Sequence, residues 1–298
     1  MPTPTVRRLQ LGNELRHLRD RAGLELTDAA EVIERSWSVV SKLERGLTGI
    51  RQKPLRELVT YYRDHIGTRD DGTPRDGGEP IDPEQFCELN KGSENRGRWR
   101  GYRATHPQHF RIAVDLEADA QVINIYQTEV VHGLFQTEEY MRAMFENVRY
   151  GDEETEQRIK ARLERQHVLD KEDAPEITAV LSESAIRRVY GDSAIMHRQL
   201  RHLAELAELP MVHLHILPFT AIPAMASSFP FVHFRVPSAS TNAPPLEFVY
   251  IEQYNNGDYL DGVNDVATYS GLWNGLLGAA LDPVESKDFL LRVATEFA

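Results

Sequence analysis

Residues 36–46 read Ser-Trp-Ser-Val-Val-Ser-Lys-Leu-Glu-Arg-Gly, and they predict a short helix with one buried face. Ser36 is suited to the N-cap position, because its hydroxyl can accept a hydrogen bond from an amide two or three residues further on. Val40 and Leu43 are spaced to lie on one side of the helix. Gly46 is a typical C-terminal stop, so we expect the helix to end there.

Helical patterns surround this stretch on both sides. Upstream, Leu11, Leu15 and Leu18 recur at i, i+4 and i+7, which places one apolar stripe on a longer helix that Gly23 can end. Downstream, Pro54 suits the first turn of another helix. The predicted helices cover about Val6 to Ala22, Thr27 to Ile33, Ser36 to Arg45 and Leu55 to Arg63. A short helix, a tight turn and a second short helix form the helix-turn-helix arrangement.

The charge of the chain is unevenly distributed. The 298 residues carry a formal net charge of −12, which taken alone argues against a nucleic-acid partner. Residues 1–65, however, carry +3, and the remaining residues carry −15. The basic part of the chain is therefore the part with the helix-turn-helix pattern.

Composition indicates a globular protein of the cell interior. The apolar fraction of 41% and the charged fraction of 27% exclude a disordered chain. The single cysteine, Cys87, cannot form an internal disulfide. No apolar run is long enough to span a bilayer, and Met1 to Leu15 lacks the apolar centre of a signal peptide. We expect a cytoplasmic protein with no membrane partner.

A domain boundary is predicted after residue 66. Residues 67–80 lack any apolar side chain and are rich in Gly, Pro and Asp, which is the composition of a flexible linker. We therefore expect a helical domain over 1–66, a linker over 67–81 and a second domain over 82–298. Such a linker would hold the acidic domain away from DNA phosphates.

The N-terminal motifs resemble a known family of DNA-binding domains. Residues 18–24 (Leu-Arg-Asp-Arg-Ala-Gly-Leu), the pair Ala29-Ala30 and above all residues 40–46 (Val-Ser-Lys-Leu-Glu-Arg-Gly) are similar to the lambda-repressor/Cro-type (XRE) domain. The resemblance implies that the third helix lies in the major groove, where Trp37, Ser38, Ser41 and Lys42 would face base edges. It also implies phosphate contacts from Ser36, Arg45, Arg51 and Lys53, and an ion pair between Arg19 and Glu44.

The sequence departs from the family pattern at several positions. Glu25 and Leu26 stand where the family usually has Ser or Thr followed by Gln. Glu34 occupies the turn position usually held by Gly, although Glu disfavours a left-handed backbone. Trp37 replaces a common Gln, so it can contact a thymine methyl but cannot bind adenine with two hydrogen bonds.

Residues 98–298 resemble the C-terminal domain of unknown function that follows XRE domains in many actinobacterial regulators. The similar stretches are Ile125–Tyr140, Arg158–Gln166, Leu206–Pro210 and Ile216–Phe219. Two prolines of that family are replaced here, by Thr128 and His132. The resemblance implies a small partner protein encoded nearby.

Local patterns in this part predict an α+β domain. Helices are expected over Asp82 to Gly97, from a Thr137 cap to about Val148, and over Asp152 to Leu169, Ser193 to Glu208, Val263 to Ala280 and Pro283 to Glu296. Strands are expected over Ile177 to Ser182, Val212 to Leu217, Phe229 to Val236 and Leu246 to Glu252. Strands in one block suggest a mostly antiparallel sheet covered on one face. The whole chain is thus predicted to be multidomain, with an all-α N-terminal domain.

Enzyme chemistry finds little support. His213, His215 and His233 could form a metal site, but the first two alternate with apolar residues and are better explained as the outer face of a half-buried strand. Ser182 and Ser184 lack the Gly-x-Ser-x-Gly pattern of a hydrolase. Cys87 is expected to be a half-buried, inert thiol. The aromatic residues Phe229, Phe231, Phe234, Phe248, Tyr250 and Tyr254 suit a core or interface, and alternatively a ligand pocket. We predict no catalytic residue, metal or cofactor.

Two functions fit the sequence. The first is a sequence-specific transcriptional regulator that binds a double-stranded DNA operator as a homodimer, with half-sites about 34–36 Å apart, and whose C-terminal domain dimerises and senses a partner or small molecule. The second is an antitoxin-like adaptor that binds proteins and retains residual DNA binding. None of residues 37, 38, 41 and 42 is acidic, which favours the regulator.

Overall fold

The structure is a computed structural model that describes residues 6–93, 108–146, 148, 151–222, 229–240, 243–253 and 256–298. The chain divides into two compact units. Unit 1 comprises Met1–Arg100 together with Val236–Leu246, and unit 2 comprises Gly101–Arg235 and Glu247–Ala298. Within the described ranges, no helix is long and apolar enough to cross a membrane.

Unit 1 contains the four helices predicted for residues 1–66 and also the helix predicted over Asp82 to Gly97, which the sequence had assigned to the second domain. They are α1 (Val6–Arg21), α2 (Leu26–Val32), α3 (Trp37–Glu44), α4 (Gln52–Ile66) and α5 (Pro83–Ser93). The leucines of the α1 stripe are buried against Val40 and Leu43 of α3 and against Leu55, Leu58 and Tyr62 of α4. The helical periodicity of residues 6–66 is therefore confirmed.

The segment predicted as a flexible linker is folded. Thr68 and Pro74 form a β-bridge, and the Arg21 guanidinium pairs with Asp76 at 2.8 Å. The following residues Ile81 and Phe86 are buried in the core of unit 1. The structure thus differs from the predicted boundary at 66–81, because Gly, Pro and Asp also build tight turns and α5 completes the helical core.

Unit 2 has six strands and seven helices among the described residues. The strands are β1 (Val122–Gln127), β2 (Glu176–Ser182), β3 (Val212–Leu217), β4 (Phe231–Val236), β5 (Leu246–Glu252) and β6 (Gly257–Leu260), the last residue of β4 and the first of β5 being assigned to unit 1. The helices are α6 (Gln108–Asp119), α7 (Glu138–Glu146), α8 (Asp152–Gln166), α9 (Glu183–Arg187), α10 (Ser193–Leu206), α11 (Val263–Ala279) and α12 (Pro283–Glu296). The predicted α+β class is confirmed, and β1 and β6 are additional strands.

The sheet is mixed, with the strand order β3-β2-β1-β4-β5-β6. The pairs β1–β4 and β5–β6 are antiparallel, as expected, whereas β1–β2 and β2–β3 are parallel. The parallel half was not predicted. It arises because helices connect β1 to β2 and β2 to β3, and such long crossovers allow neighbouring strands to run in one direction.

Both faces of the sheet are buried, where the sequence suggested one. Ile125, Ala179 and Leu214 lie in register on one face and are fully buried. On the opposite face, Tyr126 and Val180 belong to a cluster that also contains Phe231, Val249, Leu272, Trp273 and Leu276. Strands covered on both sides are typical of the parallel part of a sheet.

Candidate nucleic-acid interface

Helix α3 presents one face to the core of unit 1 and the other to solvent. Val40 and Leu43 are buried, whereas Trp37 is 59% exposed and Lys42 is also exposed. Ser38 and Ser41 are half-buried. Ser38 lies one turn before residues 41 and 42, and Trp37 lies one turn before Ser41. The four side chains expected to face base edges therefore share the solvent side of α3.

The start of α3 differs in detail from the expected cap. Ser36 occupies the N-cap position with an extended backbone, but its hydroxyl makes no side-chain cap hydrogen bond. The Ser36 Oγ instead lies 2.9 Å from the Ser38 Oγ. Both hydroxyls thus stand together at the N-terminus of the helix.

Cationic side chains flank this face. Arg45, directly after α3, is exposed, and its Nε donates to the Ser41 carbonyl at 3.2 Å. Arg51 is the N-cap residue of α4 and is exposed. Lys53 is 86% exposed, with its Nζ 3.8 Å from the Glu57 carboxylate. All three remain accessible to a phosphate, and their contact with DNA stays a prediction.

A buried ion pair holds the end of α3 against α1. The Arg19 Nε donates to the Glu44 Oε1 at 2.7 Å and the Nη2 to the Oε2 at 3.1 Å, which is the pair that the XRE resemblance implies. The side chains are 11% and 6% exposed. The Arg19 Nη1 also donates to the Leu24 carbonyl at 2.9 Å. The hydrogen bond with Glu44 raises the pKa of Arg19, so this two-point pair fixes the orientation of both helices.

The turn between α2 and α3 contains a strained residue. Glu34 has a φ of 53°, and it is the one non-glycine residue with positive φ in the part of the chain that the structure describes. This is the position at which the XRE family usually has Gly. At the start of α2, the Asp28 carboxylate accepts a hydrogen bond from the Glu25 amide at 2.7 Å, so the unusual Glu25 still belongs to an N-terminal cap.

Two residues of α1 have structural roles that the sequence analysis missed. Gly12 lies at the crossing with α3, where no side chain fits. Glu14 is buried, although an acidic residue on a surface helix is normally exposed. An isolated Gly inside a helical pattern was a usable signal for close packing, whereas nothing local marks Glu14.

Unit 2 contains a cavity of about 70 Å³. Its wall includes the aromatic residues Phe110, Phe231, Phe234 and Tyr250, together with Glu117 and His132. The Tyr250 hydroxyl is buried and has no hydrogen-bond partner among the described residues. Of the aromatic set noted in the sequence, three members thus line a cavity, Phe229 is 45% exposed, and Tyr254 lies outside the described residues.

A buried charge cluster lies beside this cavity. The Arg165 guanidinium donates two hydrogen bonds to the Glu117 carboxylate, the second at 2.6 Å. The Arg165 Nη2 is also 3.4 Å from the His132 Nε2. Burial and the adjacent Arg165 charge hold the pKa of His132 well below its usual value, so this imidazole is neutral.

The histidines considered for a metal site do not converge. His213 and His233 lie on β3 and β4, which β2 and β1 separate in the sheet. His215 is half-buried, and its Nδ1 lies 2.9 Å from the Leu281 carbonyl oxygen. Within the described ranges, no group of three or more His, Cys, Asp or Glu side chains is placed to hold a metal ion.

The thiol of Cys87 has a structural environment. It is buried in the core of unit 1, and its Sγ lies 3.9 Å from the Gln52 carbonyl oxygen. Burial raises the pKa of Cys87, which disfavours the reactive thiolate.

Comparisons with known proteins identify two regions of the chain. Residues 10–64 match a family model described as a helix-turn-helix domain. Residues 110–292, more than half of the chain, match the model described as domain of unknown function (DUF5753). No curated protein and no solved structure matches the chain. This protein belongs to the DUF5753 family, and it carries a helix-turn-helix domain before the DUF5753 region.

Proposed function

We propose that this protein is a sequence-specific transcriptional regulator in which α3 enters the major groove of an operator. The observation that carries the proposal is the solvent face of α3, which combines Trp37, Ser38, Ser41 and Lys42 and contains no acidic side chain.

The chemistry of this face suits base readout. Lys42 can donate to the O6 and N7 acceptors of guanine, and the serine hydroxyls can donate or accept. Trp37 can contact a thymine methyl group. Arg45, Arg51 and Lys53 would neutralise phosphates, which fixes the position of the domain without reading sequence.

The remaining parts of the proposal concern unit 2. A single domain of low positive charge binds DNA weakly, so a homodimer that spans two half-sites would supply the missing affinity. The cavity lined by Phe234 and Tyr250 is the candidate site for sensing a small molecule, because aromatic side chains line it together with the polar groups of Glu117 and His132. A small protein encoded nearby is the other candidate effector.

The test begins with genome-wide recovery of the DNA that the intact protein binds. The recovered sequence then serves in titrations at two salt concentrations. We expect Lys42→Ala and Ser38→Ala to reduce discrimination between the recovered site and its mutants by about 1–3 kcal/mol. Arg51→Ala should weaken binding to all sequences alike. The slope of the logarithm of the binding constant against the logarithm of the salt concentration should become shallower by about one unit.

Lys160→Ala is the control, because Lys160 is an exposed cation on α8 in unit 2. It should leave affinity and the salt slope unchanged. If Lys42→Ala and Ser38→Ala discriminate between the recovered site and its mutants as the parent protein does, α3 is not the reading helix. If no DNA is recovered and a protein partner is captured instead, the adaptor function replaces the regulator.

A further inference from the structure

The carboxylate of Glu14 accepts hydrogen bonds from the segment that connects β4 to β5, and we call this contact the clasp. Glu14 is 1% exposed. The Ser238 hydroxyl donates to its Oε1 at 2.6 Å, the Ser240 amide donates to the same oxygen at 2.7 Å, and the Ser240 hydroxyl donates to its Oε2 at 2.7 Å. We call residues 236–246 the strap; its described residues are 236–240 and 243–246.

Two further contacts lie on either side of the clasp. The Gln10 Nε2 donates to the Pro237 carbonyl at 3.0 Å, and the Asn13 Nδ2 donates to the Pro244 carbonyl at 3.0 Å. Residues 10, 13 and 14 share one face of α1, since they are spaced at i, i+3 and i+4. The strap therefore binds a polar face of α1 along one full turn.

The clasp is energetically important because a buried carboxylate loses its water. The free energy of burying that charge is unfavourable unless hydrogen bonds replace the hydration shell. The strap provides three such bonds. Without them, the free energy of the closed arrangement rises, and a relative movement of α1 and the strap would return Glu14 to solvent.

A movement of this part of α1 would reach α3. Gly12 lies between the strap contacts at Gln10 and Asn13, and a Cβ atom built on Gly12 would be 2.4 Å from the Glu44 carbonyl oxygen and 2.7 Å from that of Leu43. The backbone of α1 is therefore in direct contact with the C-terminal end of α3. Close-packed elements of this kind move together.

The strap is also continuous with two strands that line the cavity. It starts at Val236, the last residue of β4, and ends at Leu246, the first residue of β5. Val232 and Phe234 of β4 and Tyr250 of β5 belong to the cavity wall. A ligand that shifts these strands would displace the ends of the strap.

We propose that the strap is a regulatory link through which β4 and β5 control the position of α3, by way of the Glu14 clasp and the Gly12 crossing. The effect on DNA binding rests on the proposed function. The mechanical link itself does not, and it is testable in the free protein.

The first experiment measures hydrogen exchange of the full-length protein without DNA. In the double variant Ser238→Ala/Ser240→Ala, we expect amides of α1 and α3 to exchange about fivefold faster or more than in the parent. Amides of α4 serve as an internal reference for global unfolding. Ala239→Ser is the matched control, because it adds a hydroxyl at an exposed strap position and should change nothing. Unchanged exchange in α3 would overturn the link.

A second variant separates the clasp from a general loss of stability. Glu14→Gln removes the buried charge, so the serine substitutions should have much less effect on α3 exchange in that background. Equal effects in both backgrounds would show that the serines act without Glu14, and the proposed route would be wrong.

A third comparison tests transmission from the strands. Val232→Ala should change α3 exchange relative to α4 when the strap is intact and should have no such effect in the serine double variant. The same change in both proteins would exclude the strap as the connection. On recovered DNA, the double variant should bind about fivefold more weakly or worse. If the parent binds no DNA, the proposed function fails while the exchange results still decide the link.

Discussion

Gly12 on α1 and Glu44 on α3 are so close that a Cβ atom on Gly12 would lie 2.4 Å from the Glu44 carbonyl oxygen. Real Cβ atoms do not approach a backbone oxygen to that distance. Gly12→Ala should therefore force the helices apart and lower the free energy of unfolding by about 1–3 kcal/mol. Chemical denaturation of the full-length protein measures this change.

Gly271→Ala is the control for the same substitution in a helix. Gly271 lies inside α11, and its added Cβ would meet nothing within 4 Å. The change should stabilise the protein by about 0.5–1 kcal/mol, because Ala loses less backbone entropy than Gly. If Gly12→Ala raises the free energy of unfolding as Gly271→Ala does, α1 and α3 do not cross as closely as described.

Arg19 and Glu44 should show strong energetic coupling. Each side chain is nearly buried in a two-point pair, so Arg19→Met leaves the Glu44 carboxylate without its partner. Glu44→Gln leaves Arg19 with the more exposed Asp20 carboxylate, which lies 2.8 Å from its Nη1. Arg19→Met should lose about 3–5 kcal/mol of stability and Glu44→Gln less, and the double variant should lose less than the sum of the two. A double-mutant cycle from chemical denaturation gives the coupling energy.

The exposed pair of Lys53 and Glu57 provides the comparison for this cycle. Their charged atoms are 3.8 Å apart, and the side chains are 86% and 48% exposed. Such a pair on a helix surface contributes about 0.3–0.5 kcal/mol. Purely additive costs for Arg19 and Glu44 would mean that the buried pair contributes no specific interaction.

Glu34→Gly should stabilise unit 1. The left-handed backbone of Glu34 costs about 1–2 kcal/mol relative to a residue without a Cβ, and part of this gain is offset by the larger entropy of Gly in the unfolded chain. We expect a net gain of about 1 kcal/mol in thermal unfolding. Glu31→Gly, an exposed position within α2, should instead lose about 1 kcal/mol. A loss of stability in Glu34→Gly would contradict the strain.

The sequence predicts unit 1 well where local signals coincide. The apolar stripe of α1 and the glycine stops lie within a few residues of the structure that they determine, and the helix ends agree with the prediction to within a few residues, although the predicted Ser36 cap hydrogen bond does not form. The same is true of β3, whose apolar residues alternate, and of β5, whose run of apolar and aromatic residues matches the observed bounds. The solvent face of α3 also followed directly from its register.

Long-range packing accounts for the features that were missed. Glu14 and Ser240 are 226 positions apart, so no local pattern indicates that they meet. The helix α5 and Ile81 join the N-terminal core although a turn-rich segment precedes them. The strand β6 has only 4 residues, too few for alternation to be recognised. For Glu14 and α5, the burial depends on residues that are distant in the chain.

His132 should make the stability of the protein sensitive to pH. Its Nδ1 accepts a hydrogen bond from the Leu134 amide at 3.4 Å, and this requires the neutral ring. Burial and the charge of Arg165 lower the pKa of His132 in the folded protein. In the unfolded chain the imidazole titrates near its ordinary value of about 6.5.

The unfolded state therefore binds a proton at pH values where the folded state does not. The His132 contribution to the free energy of unfolding is fully present above about pH 6.5 and decreases as the pH falls below that value. Between pH 7 and pH 5, His132 should lower the free energy of unfolding by at most about 2 kcal/mol, the limit that an unfolded pKa of about 6.5 sets. His132→Asn keeps a side-chain acceptor near the Leu134 amide without titrating, so the free energy of unfolding of this variant should fall less over this range.

Burial also lowers the pKa of His202, His215 and His233, but these residues are present in both proteins, so their effects cancel in the comparison. Denaturation at both pH values measures the difference, and parallel losses in parent and variant would assign the pH dependence to other groups.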